Sequence, residues 1–189
     1  MARSKAGDLA AFNALVEAHQ GCVYNLCLRM LNSVPAAEDV AQETFLAAYR
    51  NVGSFRGGIF RAWLLRIAAN ACTDELRRRG RRPQVSLDAA TAADASPFDP
   101  PDQSESPEEK ALRSELGRHI QSGLMRLPPD QRAVVILCDV QGLSYEEAAT
   151  ALRLSPGTLK SRLSRGRARL RRFLLEEREL LPDPFRHTN

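Results

Sequence analysis

The sequence predicts an all-α protein of two small helical domains joined by a flexible acidic linker. Three observations carry that prediction. Apolar residues recur at three- and four-residue spacing through most of the 189 residues, and no segment alternates with period two as a half-buried strand does. The stretch PQVSLDAATAADASPFDPPDQSESP, residues 83–107, is rich in Pro, Ser, Ala and Asp and poor in large apolar side chains. Such a composition buries too little surface to offset the entropy of ordering it. Finally, charge is partitioned: net +5 over residues 1–82, −6 over 83–110 and +5 over 111–189. Two basic bodies flanking an acidic connector suit a polyanionic partner. The expected boundaries are 8–82 for the first domain, 83–110 for the linker, 111–175 for the second domain and 176–189 for a tail.

In the first domain Leu9, Phe12, Leu15, Val16, His19, Val23, Leu26, Cys27 and Met30 follow a helical period, with a break expected near Gln20-Gly21. Pro35 suits the first turn of the next helix, whose inner face carries Val40, Thr44, Phe45 and Ala48. A loop with Gly53, Gly57 and Gly58 precedes a third stripe of Phe60, Trp63, Leu64, Ile67, Ala68 and Ala71. That helix ends in the basic run Arg77-Arg78-Arg79-Gly80-Arg81-Arg82. Beyond the linker, Ala111–Met125 and Asp130–Val140 read as helices separated by Pro128-Pro129.

The most specific local signal follows. Ser144-Tyr145-Glu146-Glu147 fits a capping box, in which a hydroxyl and a carboxylate three residues apart each accept from the other's backbone amide. Ala148, Ala149 and Leu152 form the inner face of a short helix. Ser155 is placed to cap a second helix that opens with Pro156. There Leu159, Leu163, Gly166 and Leu170 form one stripe, and the other faces carry Thr158, Lys160, Ser161, Arg162, Ser164, Arg165, Arg167 and Arg169. A short helix, a sharp turn and a second helix basic outside and apolar inside are what a major-groove reader requires. Long cationic side chains there reach guanine edges or neutralise phosphates. A solvated basic helix has the same charge, but not the cap, turn and stripe together. By itself the motif specifies a DNA-binding module, and a stand-alone repressor or response-regulator effector would carry it equally well.

Other classes find little support. There is no metal-ligand cluster, phosphate-binding Gly loop or nucleophile–base pair, so neither catalysis nor a cofactor is expected. His119 with nearby Glu115 reads as helix surface. Cys22, Cys27, Cys72 and Cys138 form no C-x-x-C pair and read as small buried hydrophobes in a reducing compartment. No apolar run approaches the ~20 residues that span a bilayer, and MARSKAGDLAAF lacks the apolar core of a secretion signal. A cytoplasmic location without membrane insertion is expected.

Residues 141–172, QGLSYEEAATALRLSPGTLKSRLSRGRARLRR, resemble the fourth conserved region of bacterial sigma factors, and Leu127-Pro128-Pro129-Asp130-Gln131-Arg132 is similar to the start of that domain. AEDVAQETF at 37–45 resembles the polymerase-docking helix of region two. FRG at 55–57 followed by FRAWLLRIAAN at 60–70 resembles its promoter-melting segment. Two motifs in this order, with only a linker between, resemble the extracytoplasmic-function group of the sigma-70 family.

The resemblance implies a factor that binds core RNA polymerase and directs initiation at promoter DNA by recognising −35 and −10 elements. It implies polymerase docking through Glu38, Asp39, Gln42 and Glu43 with Phe45 as apolar anchor, although Glu38 and Asp39 also suit a helix N-terminus through its dipole. Phe55 and Asn70 match positions that hold a flipped-out −10 base, where an unstacked base needs a flat apolar surface and an amide. Without the resemblance, Phe55 reads equally as a core aromatic. Trp63 fits core packing or DNA contact. Arg61, Arg66, Arg77 and Arg78 are candidate phosphate contacts. Lys160, Ser161, Ser164 and Arg165 match positions facing the −35 element, with Thr158 and Arg162 as phosphate contacts. An anti-sigma partner is implied as regulator.

Two departures stand out. The loop Arg56-Gly57-Gly58-Ile59-Phe60 is one residue shorter than the commonest form, and Ile59 stands where a small residue is usual. Gly166 replaces the usual Ala in the recognition helix, where a glycine costs about 1 kcal/mol.

Overall fold

The computed structural model describes Ser4, residues 8–81 and residues 107–176. The linker expected over 83–110 falls outside the described residues up to 106, as does the tail from 177. The elements are seven α-helices, a 3-10 turn over Val52–Ser54 and a π turn over Ile136–Val140, with no strand among the described residues.

The first domain is a three-helix bundle: α1 (Leu9–Leu31), α2 (Val34–Asn51) and α3 (Phe60–Arg81), each packed on the other two. Asp8 caps α1 by accepting from the Ala11 amide at 3.0 Å. The break expected near Gln20-Gly21 does not occur. Val23, Leu26, Cys27 and Met30 lie buried just beyond Gly21, and their packing outweighs the ~1 kcal/mol helix penalty of one glycine. Asn32, in the left-handed region at φ 51°, ends the helix and donates its amide to Leu28. The core closes with Ala37, Val40, Thr44 and Ala48 of α2 against Leu64, Leu65, Ala68, Ala69 and Cys72 of α3. The buried Thr44 hydroxyl is satisfied by the Val40 carbonyl at 2.7 Å.

The second domain begins at Pro107, four residues before the helix expected from Ala111. Its elements are α4 (Pro107–Met125), α5 (Pro129–Val135), α6 (Tyr145–Leu152) and α7 (Pro156–Glu176). The helix expected over Asp130–Val140 is not uniform. After Val135 it widens into a π turn over Ile136–Val140, and Gln141 donates its amide to the Ile136 carbonyl at 2.8 Å. The wider turn ends the element at Gly142, whose φ of 65° a glycine adopts without strain. The helix-turn-helix of α6 and α7 forms as its local sequence dictates. Both halves of the Ser144–Glu147 capping box are present, at 2.7 and 3.2 Å.

Gly166 is explained by packing. A Cβ at this position would lie 2.7 Å from Val135 Cγ2, so a side chain there would require Val135 of α5 to shift. At Gly123 of α4 a Cβ would meet the ends of the Leu170 and Phe173 side chains of α7.

The two domains touch. Helix α6 packs on α3 as well as on α7, and α1 meets α4, α5 and the π turn. Arg132, only 4% exposed, lies at this junction. Its guanidinium donates to the carbonyls of Leu124, Met125 and Leu127 at the end of α4, and at 2.6 Å to Met30 at the end of α1. The carboxyl ends of two helices, each with unpaired carbonyls and partial negative charge, thus converge on one cation. Burial without a carboxylate partner lowers the Arg132 pKa from its ordinary value. Gln121 adds a bond to Asn32 Oδ1 at 3.1 Å, and Gln141 one to the Cys22 carbonyl at 3.2 Å. No helix among the described residues is long and apolar enough to cross a membrane.

Candidate nucleic-acid interface

Helix α7 is anchored on one side and cationic on the other. Leu159, Leu163 and Gly166 are buried, and Leu170 is half-buried. Ser155 Oγ accepts from the Thr158 amide at 3.2 Å and shares a 2.8 Å hydrogen bond with the Thr158 hydroxyl, which fixes the start of the helix. Thr158, Lys160, Ser164 and Arg165 are exposed, while Ser161 and Arg162 are half-buried. Arg162 reaches Asp130 of α5 at 3.2 Å, so its guanidinium is tethered. Arg167, which the sequence places among the outer cations, makes a fork-like pair with Asp139 at 3.0 and 2.5 Å. That pair raises the Arg167 pKa above its ordinary value and couples α7 to the π turn. The two acidic tethers were not singled out from the sequence. Asp130 and Asp139 stand 32 and 28 residues from their partners, and no short-range pattern pairs them.

The first domain presents a second group. Asn70 is exposed on α3, and Arg61 and Arg66 are half-buried. Arg61 donates to Gln141 Oε1 of the second domain at 2.9 Å. Phe55 is not a free platform. It is 6% exposed, with its ring centroid 5.7 Å from Phe60 and 5.4 Å from Trp63. His19 closes the cluster 5.5 Å from Phe60, and burial together with the Arg61 charge lowers its pKa. The loop that follows Phe55 bends at Gly57 and Gly58, with φ of 99° and 90°, and leaves Ile59 exposed. Arg77 and Arg78 lie exposed at the end of α3, paired with Asp74 and Glu75. The exposed Arg77–Asp74 pair contributes at most about 1 kcal/mol and exchanges readily for phosphate, whereas Glu75 is largely buried and also holds Arg79.

On α2, Glu38, Asp39, Gln42 and Glu43 are all exposed. Phe45, expected as the apolar anchor of this face, is half-buried and packs against the core. Leu46 is instead exposed, at 55%. It follows Gln42 by four residues and Asp39 by seven, which puts it on the same face at the carboxyl end of the stripe. Phe45 instead keeps to the inner face on which the helical period places it with Val40, Thr44 and Ala48.

Residues 15–82 match the family model for sigma-70 region 2, and residues 118–170 match that for sigma-70 region 4. The chain is 41% identical over 172 residues to the "ECF RNA polymerase sigma factor SigE" of Mycolicibacterium smegmatis, covering 89% of this chain and 64% of that protein. It is 40% identical to the "RNA polymerase sigma-H factor" of Pseudomonas aeruginosa, over 87% of this chain and 86% of that one. Among solved structures, the sigma factor RpoE of Bartonella quintana, in complex with the anti-sigma factor NepR, superposes with a TM-score of 0.69 at 26% identity, covering 88% of this chain and 98% of that one. With a capped basic helix in one domain, an acidic stripe in the other, and both regions matched in order, the chain belongs to the ECF group of RNA polymerase sigma factors.

Proposed function

We propose that this protein docks on core RNA polymerase through α2 and reads a promoter at two places. Glu38, Asp39, Gln42 and Glu43 offer carboxylates and an amide to a basic partner, and Leu46, rather than Phe45, supplies an apolar anchor at the carboxyl end of the stripe. Thr158, Lys160, Ser161, Arg162, Ser164 and Arg165 of α7 face the −35 major groove. Lys160 and Arg165, both exposed, are the base-reading pair. Arg162, held by Asp130, and Thr158, held in the cap, serve phosphates. Arg61, Arg66 and Asn70 face the −10 strand. Phe55 receives an unstacked base once the rings of Phe60 and Trp63 packed on it give way. Strand opening draws on binding energy, the protein catalyses no reaction, and it acts in the cytoplasm. A regulatory protein of the anti-sigma kind is a further partner, a reading supported by the RpoE–NepR complex.

The observation that carries this reading is the pairing of a capped, basic α7 with an acidic stripe ending in an exposed leucine on α2 within one chain. Reconstituted transcription tests it. Purified protein with core polymerase should initiate at promoters selected from a random pool. Tight sequence-specific duplex binding without core, and no initiation with it, would sink the reading. Arg165→Ala should change −35 preference and leave core binding intact.

A further inference from the structure

Two local rules are broken at one residue. Ile59 stands immediately before α3, and its carbonyl accepts from the Trp63 amide at 3.2 Å, the bond that marks the cap position of a helix. Ser, Thr, Asp and Asn are favoured there because their side chains accept from the free amides of the first turn. Isoleucine has no acceptor and is among the poorest caps. Ile59 is also 61% exposed, the highest value among the large apolar residues that reach solvent in the described chain. A side chain that neither caps nor packs contributes nothing to the fold, and such local conflicts mark functional positions.

The surroundings indicate what Ile59 meets. Residues 44–73 carry four arginines and no carboxylate, and Arg56 and Arg61 flank the loop. A cationic border of this kind suits a nucleic-acid strand. The next residue, Phe60, packs its ring 5.7 Å from Phe55, so Ile59 adjoins the aromatic rings assigned to an unstacked base. A base offers flat faces and a polar edge. The rings serve the faces. On the edge, thymine alone carries a methyl group. An aliphatic side chain gains by covering that methyl. Covering the amino or carbonyl groups of another base would strip them of water and return no hydrogen bond. We propose that Ile59 is a specificity-determining residue that covers the 5-methyl group of one thymine in the −10 strand. The inference rests on the assignment of Phe55 and α3 to that strand. It also accounts for the missing cap, because Ser or Asn at position 59 would steady α3 and leave the methyl uncovered.

The test is reconstituted transcription with core polymerase on a promoter that the wild type has selected from a random pool. Each thymine of the −10 element is replaced in turn by deoxyuridine, which removes only the methyl group. Paired thymine and uracil templates compete in one reaction and give transcripts of different length. At one position the wild type should prefer thymine about fourfold, the value of one buried methyl group. Ile59→Ala should lose that preference, and Ile59→Val should keep most of it. Ile59→Asn should lose it too, yet melt about 2–4 °C higher, because asparagine caps α3. A wild type indifferent to every methyl, or an Ile59→Ala protein that keeps the preference, overturns the inference. So does an Ile59→Asn protein that melts lower, since Ile59 would then support the fold. Failure of the wild type to initiate at any promoter overturns the promoter reading and the inference with it. Initiation that ignores the methyl overturns the inference alone.

Discussion

At the scale of single residues, Gly166 and Arg153 make opposite predictions. Gly166→Ala gains about 1 kcal/mol of helix propensity, yet its Cβ would lie 2.7 Å from Val135 Cγ2. Val135 is almost fully buried and β-branched, so it has no free rotamer to move into. Overpacking of this kind costs about 1–3 kcal/mol, and Gly166→Ala should lower stability by about 1 kcal/mol in urea unfolding. In a Val135→Ala background the same change should be neutral or stabilising, and additive effects would remove the explanation. Arg153 ends α6 at φ 53°, a conformation that costs an L-residue with a Cβ about 1–2 kcal/mol. Arg153→Gly should therefore raise stability by about 0.5–1 kcal/mol, after allowing for glycine's freer unfolded state. His19 adds a pH dependence. Burial and then the Arg61 charge lower its pKa, so folding favours the neutral ring. Its contribution is complete above the unfolded value of about 6.5 and is lost as pH falls through the lowered folded value. His19→Gln should flatten the fall in stability between pH 7.5 and 5, as read by urea midpoints.

At the scale of elements, what was legible in the sequence was what is local. The capping box at Ser144–Glu147 and the cap at Ser155 join residues three apart, and both form. The α7 stripe depends only on helical period, and Leu159, Leu163 and Gly166 are buried as that period requires. The π turn was not legible, because it answers to where Leu137 and Gln141 must point rather than to any local preference. By contrast the period of α2 places Phe45 on the inner face with Val40, Thr44 and Ala48, and it packs there; the exposed Leu46 carries no such signal. The cap on α7 gives the prediction proper to this scale. Ser155→Ala removes the acceptor for the Thr158 amide and should cost about 1 kcal/mol. The loosened turn carries Thr158 and Lys160, so −35 duplex affinity of the polymerase-bound protein should fall while core binding holds. Full retention of duplex affinity, measured at fixed salt, would detach the cap from recognition.

At the scale of the whole molecule, the residue that matters most was read from the sequence only as part of a motif. A lone arginine between Gln131 and Ala133 looks like surface, yet Arg132 is buried and bonds four carbonyls from two domains. Nothing in the sequence announces this, because its partners are backbone atoms, which carry no residue identity. The arrangement makes the domains a thermodynamic unit. In the second domain Arg132 satisfies the end of α4, and across the junction it satisfies Met30 at the end of α1. Arg132→Met keeps an unbranched apolar stem of similar reach but leaves the Met125 and Leu127 carbonyls without their arginine donor, while the Leu124 carbonyl keeps the Leu127 amide. Each buried, unmet polar group costs about 1–3 kcal/mol, so the second domain should lose at least about 2 kcal/mol, equivalent to a melting shift of roughly 8–16 °C for a unit of its size. The first domain loses one carbonyl bond, which water can replace once the junction opens. Calorimetry should thus show one transition for the wild type and two for Arg132→Met, the lower belonging to residues 107–176 and the upper to residues 8–81. A single transition at an unchanged temperature in the variant would mean that Arg132 neither supports α4 nor couples the domains.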